Sequence, residues 1–154
     1  MIYGIMQSIT KREFSKGVDY MRKLISFVLT MACMFCLSAC GGSAKNIKIT
    51  DYTSKIYSNA EIESAIDVAI DYFEKNFNGC TLTEIKYLGD DELADYQEFA
   101  ESNNADDVIV LVSSFDVDAS GGDGSLNPNS TYDNWKWILI RNNGGKWKHI
   151  DHGY

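Results

Sequence analysis

Ser58-Asn-Ala-Glu61-Ile62-Glu-Ser-Ala65-Ile66-Asp-Val-Ala69-Ile70-Asp-Tyr72-Phe73-Glu-Lys-Asn-Phe77-Asn78-Gly79 carries the marks of one amphipathic helix. Ser58 is a good N-cap, and Glu61 three residues on completes a capping box. Tyr57 and Ile62 occupy the staple positions around that cap. Ile62, Ala65, Ile66, Ala69, Ile70, Phe73 and Phe77 recur at helical spacing and form one apolar stripe. Gly79 can take the left-handed conformation that closes a helix. The spacing therefore predicts a helix over Asn59–Asn78. Glu63, Asp67, Asp71 and Glu74 fall on the opposite face and read as a solvated face, with Asp71 and Lys75 at the favourable i, i+4 spacing.

Strands are expected on either side of this helix. Ile47-Lys48-Ile49 is a brief one. Thr81–Leu88 is rich in β-formers, and its alternation slips between Leu82 and Ile85, which calls for a bulge. Asp90 or Asp91 could cap a second, weaker helix reaching Glu101. Val108–Phe115 is apolar on both faces and reads as a central strand covered on both sides. Trp135–Arg141 and Lys146–Asp151 flank Asn142-Asn143-Gly144-Gly145, in which Asn-Gly favours a type I′ turn. A two-residue turn there sets Arg141 opposite Lys146 and Trp137 opposite Ile150. One face of the hairpin then carries Trp135, Trp137, Leu139 and Ile150, the other Ile138, Ile140 and Trp147.

One long N-terminal helix packed on an antiparallel sheet of about four strands is an α+β layout. The element order and the closing W-x-W-I-L-I-R-N-N-G-G-K-W resemble the NTF2-like or cystatin-like class, over roughly Tyr57–Tyr154. That resemblance implies a curled sheet wrapped around one helix. The stretch from Ser113 to Tyr154 is also similar to small lipoproteins of Gram-positive bacteria. Neither resemblance supplies a catalytic motif, and a shared fold does not by itself imply a shared function.

The first forty residues speak to location. Arg22 and Lys23 precede a 14-residue run, Leu24–Leu37, whose only polar members are Ser26 and Thr30. This is shorter than the roughly 20 residues of a membrane span, and it suits the apolar segment of a secretory signal. Leu37-Ser38-Ala39-Cys40 resembles the lipobox of bacterial lipoproteins. The resemblance implies cleavage between Ala39 and Cys40 and a lipid on Cys40. Residues 1–20 are polar and lie upstream of the basic start, so Met21 is the expected start of translation. The domains expected are thus a signal over 21–39, a flexible tether over 40–46, and a single α+β domain over 47–154.

From Cys40 onward the chain has nine Lys and Arg against 20 Asp and Glu, a net charge of −11 compared with −8 for the whole sequence. Such a domain is repelled by nucleic acid and by anionic lipid, so neither is an expected direct partner. Cys33 and Cys36 leave with the signal, and Cys40 is taken by lipid. Cys80 is then the only free thiol, read as a small buried apolar residue.

Few residues point to chemistry. In the loop 116–133, Asp116, Asp118, Ser120 and Gly121 match the first half of a calcium-loop pattern. Asn127 stands where that pattern needs a bidentate carboxylate, and the alternative is a turn-rich polar loop. His149 and His152, the only histidines, are expected on opposite faces of a strand and so unable to share one ion. His149 and Asp151 would share a face, as a base with an orienting carboxylate. Trp135, Trp137 and Trp147 are either core or an exposed aromatic patch for a partner. The chain is therefore expected to be a lipid-anchored, extracytoplasmic binding or interaction module at the outer face of the cell membrane, without an enzymatic activity or a resident cofactor. The alternatives are a small-ligand or catalytic pocket between helix and sheet, with Tyr72, Tyr87, Tyr96 or His149 as polar members, and a calcium-stabilised domain. A free sheet face would also allow a homodimer.

Overall fold

A computed structural model describes residues 41–154. The signal segment, Cys33, Cys36, Ala39 and Cys40 lie outside the described residues. Among those described, the elements run β1 (Lys48–Ile49), α1 (Asn59–Asn76), β2 (Cys80–Tyr87), a 3-10 turn (Asp90–Tyr96), α2 (Gln97–Ser102), β3 (Asp107–Val117), β4 (Thr131–Arg141) and β5 (Lys148–Gly153). The fold is α+β, with a five-stranded mixed sheet in the order β1-β2-β3-β4-β5.

Helix α1 begins as its sequence demands. The Ser58 side chain accepts from the Glu61 amide, and the Glu61 carboxylate accepts from the Ser58 amide at 2.8 Å. Ile62, Ala65, Ile66, Ala69 and Phe73 are buried, whereas Glu63, Asp67, Asp71 and Glu74 are exposed and Lys75 pairs with Asp71 at 2.6 Å. The helix stops at Asn76, two residues before the expected end, with Phe77 as its C-cap and Gly79 at φ +69°.

The sheet has one strand more than the four expected, because β1 pairs parallel to β2 while all other neighbours are antiparallel. Helix α1 therefore follows a strand instead of opening the fold. The slip read in β2 is a register shift between Leu82 and Glu84. β3 is the middle strand, and Val108–Val112 are all buried. Ile85, Leu111, Ser113 and Trp137 share one face by register, and the rings of Tyr72 and Phe73 on α1 and of its C-cap Phe77 pack against Trp137 there. Val108, Val110, Ile138 and Ile140 occupy the other face, and the 3-10 turn and α2 pack on β3 and β4. The second apolar face is thus covered from within the chain, which leaves the expected homodimer no bare sheet surface there.

The β4–β5 hairpin departs from the expected register. Asn143 and Gly144 both have positive φ, as a type I′ turn requires, and the Gly145 amide donates to the Asn142 carbonyl at 2.9 Å. The ladder nonetheless resumes only at Ile140–Lys148, and an irregularity between Ile138 and Leu139 leaves Ile150 unpaired. Trp137 consequently faces His152, not Ile150. The cause is Trp147, which leaves the strand to donate its indole N–H to the Glu61 carbonyl of α1 at 2.9 Å.

The expected tether is also ordered against the domain. The Gly42 amide donates to the Glu74 carbonyl, one of the carbonyls a helix C-terminus leaves without an internal partner. Ser43 forms a parallel bridge with Thr81, and its backbone bonds Cys80 and Leu82 at 2.8 Å each. Two glycines permit this approach: a Cβ on Gly42 would lie 2.7 Å from the Phe73 carbonyl oxygen.

Candidate functional site

Three elements meet at the C-terminal end of α1 and enclose a cleft of about 310 Å³. The helix contributes Tyr72 and Asn76, and its exit contributes Phe77, Asn78 and Cys80. The loop after β3 contributes Gly122, Asp123, Ser125 and Leu126, while Trp135 and His152 come from the sheet.

The loop wall is fixed by its own polar groups. Asp118 accepts from the amide and hydroxyl of Ser120, and its amide donates to the Gly79 carbonyl at 2.9 Å. A Cβ on Gly79 would lie 2.7 Å from the Asp118 carboxylate, so glycine at the helix exit lets the loop close down. Tyr132 on β4 accepts the Asn127 amide and stacks on Phe115. The residues of the calcium-loop pattern are thus committed to the protein: Asp116 accepts from Thr131 at 2.6 Å, and Asp118 and Ser120 bond each other. Among the described residues no three His, Cys, Asp or Glu side chains are grouped to hold a metal.

The sheet wall carries the chemistry. The unpaired Ile150 adds one residue between His149 and His152 and turns both toward α1, contrary to the expected opposite faces. His152 Nδ1 lies 3.2 Å from His149 Nε2. Tyr72 packs on His149 at 4.0 Å between ring centroids, and Trp137 stacks on His152 at 5.4 Å. Burial lowers the proton affinity of both imidazoles; for His149 the neighbouring His152 lowers it further, and Asp151 opposes both shifts. Both shifts favour the uncharged rings. Asp151 accepts from the His152 amide and is exposed, so the expected His149–Asp151 dyad gives way to a His149–His152 pair.

Two residues that line this cleft each hold a buried polar atom without a partner, Asn78 Oδ1 and Trp135 Nε1. One is an acceptor and the other a donor, and leaving either unmatched costs about 1–3 kcal/mol. Burial first, and Asp118 and Asp123 second, push the Cys80 thiol up to about 11, which disfavours the reactive thiolate.

The other residues singled out in the sequence lie elsewhere. Trp137 and Trp147 are 0% and 5% exposed, so they cannot form a partner surface; Trp137 bonds Ser113 and Trp147 bonds α1. Trp135 alone of the three reaches the cleft. Tyr87 donates to Asp90 at 2.9 Å, and Tyr96 stacks on Phe99. Asp90 accepts from Ser54, Lys55 and Tyr87, which ties the segment before α1 to the end of β2 instead of capping a helix. A shallow groove of about 610 Å³ lies beside it, between Thr53–Ile56 and Gly89–Asp91, and the Asp90 carboxylate is already satisfied there. Asn78 was readable only as a helix-end residue, and nothing in the sequence pointed to its unmatched oxygen.

No helix among the described residues is long and apolar enough to cross a membrane. No protein-family model, curated protein or solved structure matches the chain.

Proposed function

We propose that this chain is a lipid-anchored, extracytoplasmic binding module whose site is the cleft at the C-terminal end of α1. Its fold is a variant of the NTF2-like or cystatin-like arrangement, with the sheet curled over α1 and a parallel strand added at the edge. The observation that carries the reading is the unmatched pair, Asn78 Oδ1 and Trp135 Nε1, held by two residues that line one aromatic-walled cleft. A turn of each side chain would bring its unmatched atom to the cleft, where a ligand that donates to the first, accepts from the second and lays an apolar ring face on the aromatic wall satisfies all three features. A neutral ring-bearing amide has that chemistry: its N–H and C=O supply donor and acceptor. An acetamido sugar and an aromatic carboxamide both belong to this class. A carboxylate or phosphate suits the cleft poorly, since Asp123 lines it and the chain from Cys40 on carries −11.

The anchor is Cys40, one residue before the docked Gly41-Gly42 pair. With Gly42 bonded to Glu74, a lipid on Cys40 would hold the end of α1 and its cleft within about 10 Å of the bilayer surface, two or three extended residues at most. Two measurements test the reading. Labelled palmitate fed to cells should enter the wild-type chain and not Cys40→Ser; equal labelling of both would refute the anchor. N-acetylglucosamine and benzamide should shift the Trp135 indole N–H resonance. Absence of any shift at millimolar probe would refute the ligand class.

A further inference from the structure

The His149–His152 pair also has the geometry of two ligands to one metal ion. In a tetrahedral site with Zn–N bonds of about 2.0–2.1 Å, two ligating nitrogens stand about 3.3 Å apart. The facing nitrogens here are 3.2 Å apart, a separation that suits this bite and sits at the long end of a hydrogen bond. Their rings are held in place by neighbours from both layers: Tyr72 on α1 and Phe77 at its C-cap, and Trp135 and Trp137 on β4. Pre-placed ligands lose little freedom on binding. We propose that His149 Nε2 and His152 Nδ1 form a two-imidazole site for a borderline-soft divalent ion such as Zn²⁺, open to the cleft on the His152 side.

The surroundings favour a cation. The pair lies beside the last turns of α1, where the helix dipole is negative. Asp151 on the same strand and Asp123 on the loop across the cleft supply negative charge, while the neighbouring cations Lys136 and Lys148 fall on the opposite face of the sheet by register. No third His, Cys, Asp or Glu joins the two rings among the described residues, so water or a ligand completes the coordination shell. Such a site exchanges its metal readily and leaves positions free for a cleft ligand. Binding needs one change of tautomer: the ring that donates between the facing nitrogens gives that hydrogen to solvent and takes one up on its own outer nitrogen, so both rings stay neutral and each turns a lone pair to the metal. The site stands on the ring geometry alone, independent of whether an amide occupies the cleft.

The chain has two histidines, hence four imidazole nitrogens, and all can be followed by long-range ¹H–¹⁵N NMR on the full chain. Titration with ZnCl₂ should move His149 Nε2 and His152 Nδ1 together into the metal-bound range and leave the other two protonated. Zinc should raise Tm, and His152→Gln should weaken zinc binding at least tenfold. Ring nitrogens unmoved at saturating zinc would overturn the site. So would equal zinc binding by a His149→Gln/His152→Gln variant, which would assign the metal to Cys33 and Cys36 or to surface carboxylates. Because the ring-nitrogen readout uses the wild-type chain, it decides the matter even if a variant folds poorly.

Discussion

The guanidinium of Arg141 lies 4.2 Å over the Trp147 indole while its Nε and Nη2 hold Asp107 and Glu61 at 2.7 and 2.6 Å. One side chain, 8% exposed, thus joins β4, the start of β3 and the first turn of α1. Burial opposes its charge, yet the two carboxylates more than offset this and raise its proton affinity. Arg141→Met keeps the stem's volume but leaves Asp107 and Glu61 unpaired. The expected loss is about 2–3 kcal/mol, below the 3–5 of a fully buried pair because both carboxylates keep partial contact with water. Urea denaturation measures it; a loss under 0.5 kcal/mol would show that the clamp is ornamental.

The capping box should give an acid limb. Hydrogen bonds from Ser58, and then Arg141, hold Glu61 down to about 2 from 4.5. A group that binds its proton more weakly when folded stabilises fully above its unfolded pKa and loses that contribution as pH falls toward the folded one. Ser58→Ala is expected to cost about 1 kcal/mol at pH 7 and progressively less from pH 4.5 to 2. A cost independent of pH would separate the cap from the carboxylate.

The histidine pair should give a second limb at higher pH. Both rings have lowered proton affinity, so the unfolded chain takes up protons first, and stability should begin to fall as pH drops below 6.5. His149→Gln/His152→Gln should flatten that part of a Tm–pH profile, leaving the limb between 4.5 and 2 intact. An unchanged slope below 6.5 would place the cause elsewhere.

These effects mark what the sequence could and could not disclose. Ser58, Glu61 and the Ile62–Phe73 stripe act locally, so helix α1 and its cap could be read directly. Val108–Val112 announced a central strand by being apolar on both faces, and the slip at Leu82–Ile85 announced its bulge. The β4–β5 register could not be read, because Trp147 leaves its strand for a carbonyl 86 residues earlier. The bulge that follows at Ile150 brings the two histidines together, a relationship the spacing alone places on opposite faces. Gly41-Gly42 looked like a linker for the same reason that it packs tightly: it has no side chains. The cleft was hidden likewise, since its walls come from α1, the 118–130 loop and two strands.

Gly42→Ala should undock that segment. Its Cβ would meet both the Phe73 ring and the Phe73 carbonyl. Amide exchange at Gly42 and Ser43 should accelerate at least tenfold, while exchange in β3 stays unchanged. Continued protection would show that the helix end and the chain adjust around the methyl.

The calcium reading of Asp116, Asp118 and Ser120 has a simple check. As a turn-former, Asp118→Ala should lower Tm by the same amount in calcium and in EDTA. A wild-type Tm raised by calcium, with the rise lost in Asp118→Ala, would establish the metal reading.

The most direct test of the cleft follows the three tryptophan indole N–H resonances as N-acetylglucosamine or benzamide is added. Trp137 and Trp147 already donate to Ser113 and Glu61, so their signals should stay in place, while that of Trp135 moves downfield as it gains an acceptor, and Asn78→Ala weakens the effect. A Trp135 signal that does not move with either probe, or three signals that move alike, would contradict the proposed site.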